Sequence, residues 1–305
     1  MIEKEIKKNS ISFIHTNGLP HSSHLLGINV KKKWGVPWIA HFYEAWVDNE
    51  MFSTNRITKW LNARLEYKVA KYADVIIHTN EIIKDVWVQR YGDLVRDKIE
   101  VLPLCTDENI IAIDNISSKP GKFKIIHAGN TYNKRNLREL ILALHLLNNK
   151  KTNLQGKLII QIYGNVEYED LDLISKYNLN SLFQIEKRKS YSEIQKFIKE
   201  ADALLVIDAS EPETNVFFPS KICEYFSHQK PIIGITSKYS TTRTLLSQTG
   251  HFVCGINENI SLSSYLEDLI MNNKKPTFDR NFYKNLLPES IAESYLKILK
   301  RHNII

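Results

Sequence analysis

Short β-branched runs alternate with helix-period stretches along almost the whole chain, and that alternation restricts the fold to parallel sheets flanked by helices. In the first block, Ser12–His15, Pro37–Phe42, Asp74–His78 and Ile99–Pro103 read as strands. Between them Ile57, Trp60, Leu61, Leu65 and Val69 recur at helical spacing, as do Ile83, Val86, Trp87 and Arg90 before a stop at Gly92. Residues 105–121, with Asp114–Gly121 at their polar end, read as a linker. The alternation then restarts with a strand at Phe123–His127, a turn at Gly129 and a helix from about Asn136 whose Leu137, Leu140, Ile141 and Leu144 share one face. Lys157–Tyr163, Leu182–Ile185, Ala203–Ile207, Pro231–Ile235 and His251–Val253 complete six strands of a doubly wound domain, with a ligand expected outside their carboxyl ends. Capping-box patterns at Ser190/Glu193 and Ser290/Glu293 open two helices, the second carrying Ile291, Tyr295, Ile298 and Leu299. This last helix is expected to pack back on the first domain.

The segment Phe218–Gly234 carries the most chemistry. Pro219 and Ser220 read as a helix start, with proline in the first turn and serine capping free N–H groups. Lys221 adds a cation beside those donors, so the turn is expected to hold a phosphate. Glu224, one turn further, is placed to accept hydrogen bonds from sugar hydroxyls. A surface helix packed on a sheet would carry the same pattern.

Composition narrows the partners. At 305 residues and 43% hydrophobic content the chain can fill two cores. Its apolar runs, such as Ala203–Ile207, are far shorter than the roughly 20 residues of a membrane helix. Met1–Lys8 lacks an apolar signal core, which makes the cytoplasm the expected location. Cys105, Cys223 and Cys254 form no CxxC pair, which argues against a zinc site or a disulfide framework. The formal charge of +7 favours anionic partners. Nucleic acid is not expected, because no recognised nucleic-acid-binding motif accompanies the charge. Lys31–Trp34 joins a basic run to an aromatic, as interfacial segments do, and suggests a peripheral membrane contact.

With its Pro219-Ser-Lys-Ile-Cys-Glu-Tyr225 turn, the chain resembles the retaining nucleotide-sugar glycosyltransferases of the GT-B fold, specifically the bacterial family-four-like group. Ala73–Asn80 with Lys98–Pro103, His127–Asn136, and Pro20–Gly27 with Gly35–Ala40 support the same resemblance. It implies an α/β architecture of two Rossmann-like doubly wound domains facing across a cleft. Residues 1–115 would form a partial acceptor-side domain and 116–288 the donor-binding domain, with 289–305 the returning helix. Set against the resemblance, roughly the first 80 to 100 residues of the acceptor-side domain, including its first strands, are expected to be absent here, which would impair transfer.

The resemblance further implies that Lys134 or Arg135 holds the donor diphosphate beside Gly129, Ser220 and Lys221, that Glu224 takes the ribose hydroxyls, and that Tyr191 packs near the base. No metal or other cofactor is expected, since basic side chains and the helix dipole would neutralise the diphosphate. His15 and His24, near His21, are the expected catalytic, acceptor-side residues. Two positions depart from the family pattern. Val216 stands where the family often has a glutamate, with Glu211 and Glu213 earlier in the loop. His41-Phe-Tyr-Glu-Ala-Trp46 replaces Asp-Phe-Arg-Asp-Pro-Trp. The function implied is sugar transfer from a nucleotide diphosphate donor to a glycan or lipid-linked acceptor, with retention, in the cytoplasm or at the inner face of the membrane. A catalytically silent nucleotide-binding or partner-supporting protein and a nucleotide-sugar epimerase are the alternatives.

Overall fold

The computed structural model of the chain describes residues 11–49, 55–106, 121–150, 153–209 and 214–305. These form a four-stranded sheet, a six-stranded sheet and a two-stranded pair, all parallel. The chain divides into two compact units. The first comprises Met1–Cys105, Val216–Phe218 and Asn285–Ile305; the second comprises Thr106–Asn215 and Pro219–Lys284. The putting together of N-terminal and C-terminal residues makes the first unit discontinuous in sequence.

The first unit runs β1 (Ile14–Gly18), α1 (Ser23–Trp34), β2 (Trp38–Phe42), α2 (Arg56–Tyr72), β3 (Val75–His78), α3 (Glu81–Tyr91), α4 (Asp93–Arg96) and β4 (Ile99–Val101). Its strands lie in the order β1-β2-β3-β4. Strand residues alternate between faces. Trp38, Ala40 and Phe42 pack with Ile28, Val69, Ile83 and Trp87 of α1, α2 and α3. Ile39, Val75 and Ile77 turn the other way. Gly27 lets α1 lie against the Trp38 indole, since a Cβ there would collide with that ring. The helical stripe expected in α2 is present, but the burial it suggests is not uniform. Glu66, Val69 and Ala70 are buried, whereas Ile57, Trp60 and Leu61 are exposed, because the core contacts of this helix are confined to its second half.

The second unit continues with β5 (Phe123–Ala128), α5 (Arg138–Asn149), α6 (Leu154–Lys157), β6 (Leu158–Tyr163), α7 (Tyr168–Lys176), β7 (Phe183–Glu186), α8 (Tyr191–Glu200), β8 (Ala203–Ile207), β9 (Thr214–Asn215), α9 (Lys221–Ser227), β10 (Ile232–Ile235), β11 (Tyr239–Ser240), α10 (Thr241–Gln248), β12 (Phe252–Cys254) and α11 (Asn259–Ile270). The six long strands are ordered β12-β10-β8-β5-β6-β7, so the chain winds outward from β5 in both directions. That is the doubly wound order with its topological switch between β5 and β8. The β9–β11 pair was not foreseen from sequence, because two-residue strands carry no readable period. The expected linker falls mostly on 107–120, outside the described residues.

The last helix, α12 (Pro288–Arg301), belongs to the first unit. Its Ile298 and Leu299 cluster with Ile39, Val75, Ile77 and Leu102 on the sheet face opposite α1–α3. The Ser190/Glu193 capping box forms as expected. The one expected at Ser290/Glu293 does not: the helix begins earlier, with Leu287 as N-cap and Pro288 in its first turn, so Ser290 is already inside it. Because Leu299 is 3% exposed and Leu296 is 47% exposed, Leu299→Ala is expected to lower unfolding free energy by about 2–4 kcal/mol, against under about 0.5 kcal/mol for Leu296→Ala. Urea denaturation of the two variants checks this.

Candidate functional site

In the second unit the candidate site side chains gather at the carboxyl ends of β5, β6 and β8. The loops leaving β5 and β6 are knitted together. Gly129 N–H donates to the Tyr163 carbonyl at 3.1 Å, Thr131 N–H to the Asn165 carbonyl at 2.9 Å, and Asn165 N–H to the Asn130 side-chain oxygen at 2.9 Å. Gly164 is required here, since a Cβ would run into the Gly129 carbonyl. Tyr132 and Arg135 then exchange two backbone hydrogen bonds of 2.9 Å, closing a tight turn with Asn133 at φ 52°. Asparagine tolerates that left-handed conformation better than most residues.

Arg135 is held from two sides. Its Nη1 donates to the Tyr132 hydroxyl at 2.7 Å, and its Nη2 lies 3.5 Å from Asp208 Oδ1. Asp208 is wholly buried just after β8, accepting from Ala209 N–H and the Thr242 hydroxyl at 2.8 and 2.9 Å. Burial pushes its carboxyl above the usual range, opposed by the Arg135 charge and these hydrogen bonds. Lys134 occupies the same turn.

The Pro-Ser-Lys-x-x-Glu-Tyr stretch meets this turn directly. Lys221 Nζ donates to the Ala128 carbonyl at 2.8 Å, and Ala128 N–H donates to the Tyr225 hydroxyl at 3.2 Å. One motif thus grips both sides of the alanine at the end of β5. Gly129 leaves room for the ammonium, where a Cβ would meet Nζ. Burial, with the Arg135 charge adding to it, lowers the Lys221 pKa to about 8.

The expected serine cap is corrected: Ser220 has helical angles (φ −55°, ψ −32°) and makes no side-chain cap bond. A capping side chain needs an extended backbone to reach the N–H groups ahead of it. Helix α9 starts instead through turns from Pro219 and Ser220 carbonyls to Ile222 and Cys223 N–H. Glu224 Oε1 accepts from Gln195 Nε2, and Gln195 Oε1 lies 2.9 Å from His228 Nε2. Burial lowers the His228 pKa to about 4, so the ring is neutral near pH 7 and its Nε2–H fits as the donor that orients the Gln195 amide. Tyr191 opens α8 and is 56% exposed.

The first unit collects five imidazoles near the ends of β1, β2 and β3. His15 and His24, expected together, lie on different sides of the sheet. His15 is exposed, its Nδ1 hydrogen-bonded to the Tyr295 hydroxyl at 2.7 Å and its ring 5.5 Å from that of His41. His24 is fully buried, its ring 4.2 Å from Phe42 and its Nδ1 2.8 Å from Thr16 Oγ1. Trp38 Nε1 donates to that same hydroxyl at 2.8 Å, and the hydroxyl also donates to the Ile39 carbonyl at 3.4 Å. Residue 41, where the family pattern has aspartate, thus contributes the imidazole beside His15. The following stretch is pinned through buried Glu66, which accepts from Val47 N–H, Arg90 and Tyr91 at 3.1, 2.8 and 2.7 Å.

Glu211 and Glu213 lie outside the described residues. Val216 packs into the apolar cluster of the first unit, and its carbonyl accepts from Asn80 at 3.1 Å. Among the described residues no group of three His, Cys, Asp or Glu side chains is arranged to hold a metal ion. Asp208, Gln195, Tyr225 and His41 were not singled out as site residues from sequence. Tyr225 had a signal, its place in the motif; the others gain meaning only from the neighbours that folding supplies.

Comparison with known proteins places this geometry. Residues 5–105 match the family model of the Glycosyl transferase 4-like domain. Comparison with curated protein sequences gives no match. Among solved structures, Anabaena HepE in complex with UDP is similar at 14% identity and a TM-score of 0.69, over 94% of this chain and 78% of that one. The fold is of the GT-B type. The apo form of WaaB, a lipopolysaccharide outer core galactosyltransferase, is similar at 14% identity and 0.68, over 98% and 78%. Sucrose-phosphate synthase from Thermosynechococcus elongatus gives 13% and 0.66, over 98% and 76%. The two Rossmann-like units expected from sequence are borne out by this fold.

Burial holds His21, His24 and His41 at pKa values of about 4, 3 and 4, and His78 well below the ordinary 6.5. An unfolded chain takes up these protons below pH 6.5 while the native state resists until about pH 4. The stability conferred by neutral burial is therefore full above pH 6.5 and is lost on acidification through that window. Unfolding free energy is expected to fall by about 1.4 kcal/mol per pH unit for each such imidazole. Urea titrations between pH 7.5 and 4.5 read the slope, and His21→Gln should reduce it by one imidazole's share.

Proposed function

We propose that the protein is a glycosyltransferase that moves a sugar from a nucleotide diphosphate donor to a glycan or lipid-linked acceptor, with retention of anomeric configuration. The observation that carries this reading is the grouping of Arg135, Lys221 and Glu224 at the β5–β8 switch point of a doubly wound sheet. Arg135 and Lys134 supply cationic donors for the diphosphate, with Lys221 and the Gly129 backbone beside them. Neutralising the developing charge there stabilises the leaving nucleotide as the glycosidic bond breaks. Glu224, oriented by Gln195, accepts the ribose hydroxyls, and exposed Tyr191 offers a face to the base.

This charge set lets the donor site work without a metal. HepE was solved with UDP and with UDP-glucose, which makes a UDP-sugar the first donor to test. For retention, the leaving diphosphate itself assists attack on the same face of the sugar. His15, paired with Tyr295 and beside His41, is the acceptor-side imidazole exposed to solvent; buried His24 supports the strand end from behind. The reaction is assigned to the cytoplasm, at the inner face of the membrane when the acceptor is lipid-linked.

UDP-sugars are expected to raise the melting temperature of the protein. Glu224→Ala and Arg135→Ala should each weaken donor binding by about 10- to 100-fold, the equivalent of one charge-assisted hydrogen bond. Calorimetric titration measures this, and unchanged affinity in both variants would sink the donor site. The apolar packing of Val216, where the family pattern has a glutamate, favours a second reading: a nucleotide-binding protein without turnover. Donor binding with no transfer to any acceptor and no Glu224-dependent donor hydrolysis would select it.

A further inference from the structure

We propose that the exposed face of α2 docks the protein on an anionic lipid surface. At 100° per residue, Ile57, Trp60 and Leu61 share one side of this helix, and Arg64, Lys68 and Lys71 continue the same side toward its C-terminus. The apolar three are 72%, 52% and 46% exposed. Such a stripe is ordinarily the buried face of an amphipathic helix. Here the core contacts lie at Glu66, Val69 and Ala70, and none of the first ten residues of the helix is buried.

Charge decides the occupant. Glu66 is the one acidic residue of α2, and it is buried in contact with Arg90 and Tyr91, away from this face. The exposed side is therefore apolar at one end and cationic at the other. The same face of a second copy would bring no acidic side chain of this helix to meet the cations. A nucleic acid would use the cations and leave Ile57 and Leu61 idle. An anionic bilayer accepts both: Ile57 and Leu61 enter the acyl boundary, Trp60 sits at headgroup level, and the cations meet lipid phosphates. The Arg64 guanidinium already lies 3.9 Å over the Trp60 ring, which joins the two halves of the face.

This surface differs from the Lys31–Trp34 run expected from sequence. Lys31 there is engaged at 2.8 Å with Asp74, which also accepts Trp38 N–H, so that lysine serves the packing of the unit. Among the described residues no helix is long and apolar enough to cross a membrane, so docking on α2 would be peripheral.

Co-flotation of the full chain with phosphatidylcholine vesicles containing or lacking 30% phosphatidylglycerol tests the proposal. The protein should float with the anionic vesicles and stay behind with the neutral ones, and should release as salt is raised. Trp60→Ser combined with Leu61→Ser, and separately Arg64→Glu combined with Lys68→Glu, should each cut partitioning at least 10-fold. All four positions are exposed, so urea midpoints and UDP-sugar binding should be unchanged, which separates this test from that of the donor site. Equal partitioning on both vesicle types, or none, overturns the proposal. So does partitioning that both double variants leave intact, a dimer that the Trp60/Leu61 variant splits without any vesicle binding, or oligonucleotide binding indifferent to the apolar substitutions.

Discussion

Each parallel sheet in this protein has two apolar faces, and both must be covered before the strands can leave water. Parallel strands are joined by crossovers, so most covering helices arrive with the connections. In the first unit those crossovers, α1 to α3, pack with Trp38, Ala40 and Phe42 on one side. The opposite side, with Ile39, Val75 and Ile77, is covered by the last helix, which comes only after the whole second unit in the chain. The return of α12 also brings Tyr295 to His15, so the cover of the sheet and an orienting partner for a candidate site residue are the same element.

The second unit solves a different problem, holding a loop still at the point where its winding reverses. Lys221 and Tyr225 come from one short motif and fasten the Ala128 carbonyl and N–H respectively. Gly129 and Gly164 allow the approach, and Asp208 sets Arg135 from the far side. Polar groups fixed in this way need little reordering when a charged ligand arrives, the condition under which electrostatic stabilisation is strongest. The motif therefore matters as much for what it holds within the protein as for what it can offer a ligand.

Much of this was legible in the sequence for physical reasons. Buried parallel strands such as Ala203–Ile207 are unbroken apolar runs, and the period change on either side marks the helices. The Ser190/Glu193 cap was readable because both partners lie within one turn. The Ser290/Glu293 pattern was not realised, since Pro288 two residues earlier offers the helix an earlier start. Serine at 220 has the right type and the wrong backbone angles, which residue identity does not encode. Asp208, Gln195 and His41 were illegible because their roles depend on Arg135, Glu224 and His15, each at least 26 positions distant. The α2 stripe shows the reverse limit: periodicity identifies the helix but does not say which of its turns reach the core.

The split composition of the first unit bears on the order in which the molecule is made. During synthesis the whole sequence of the second unit, through Lys284, leaves the ribosome before α12 does. The unit encoded later can therefore complete its core first, while the earlier one waits with one face of its sheet uncovered. Until then Ile39, Val75 and Ile77 lack the Ile298 and Leu299 side chains that cover them in the finished fold.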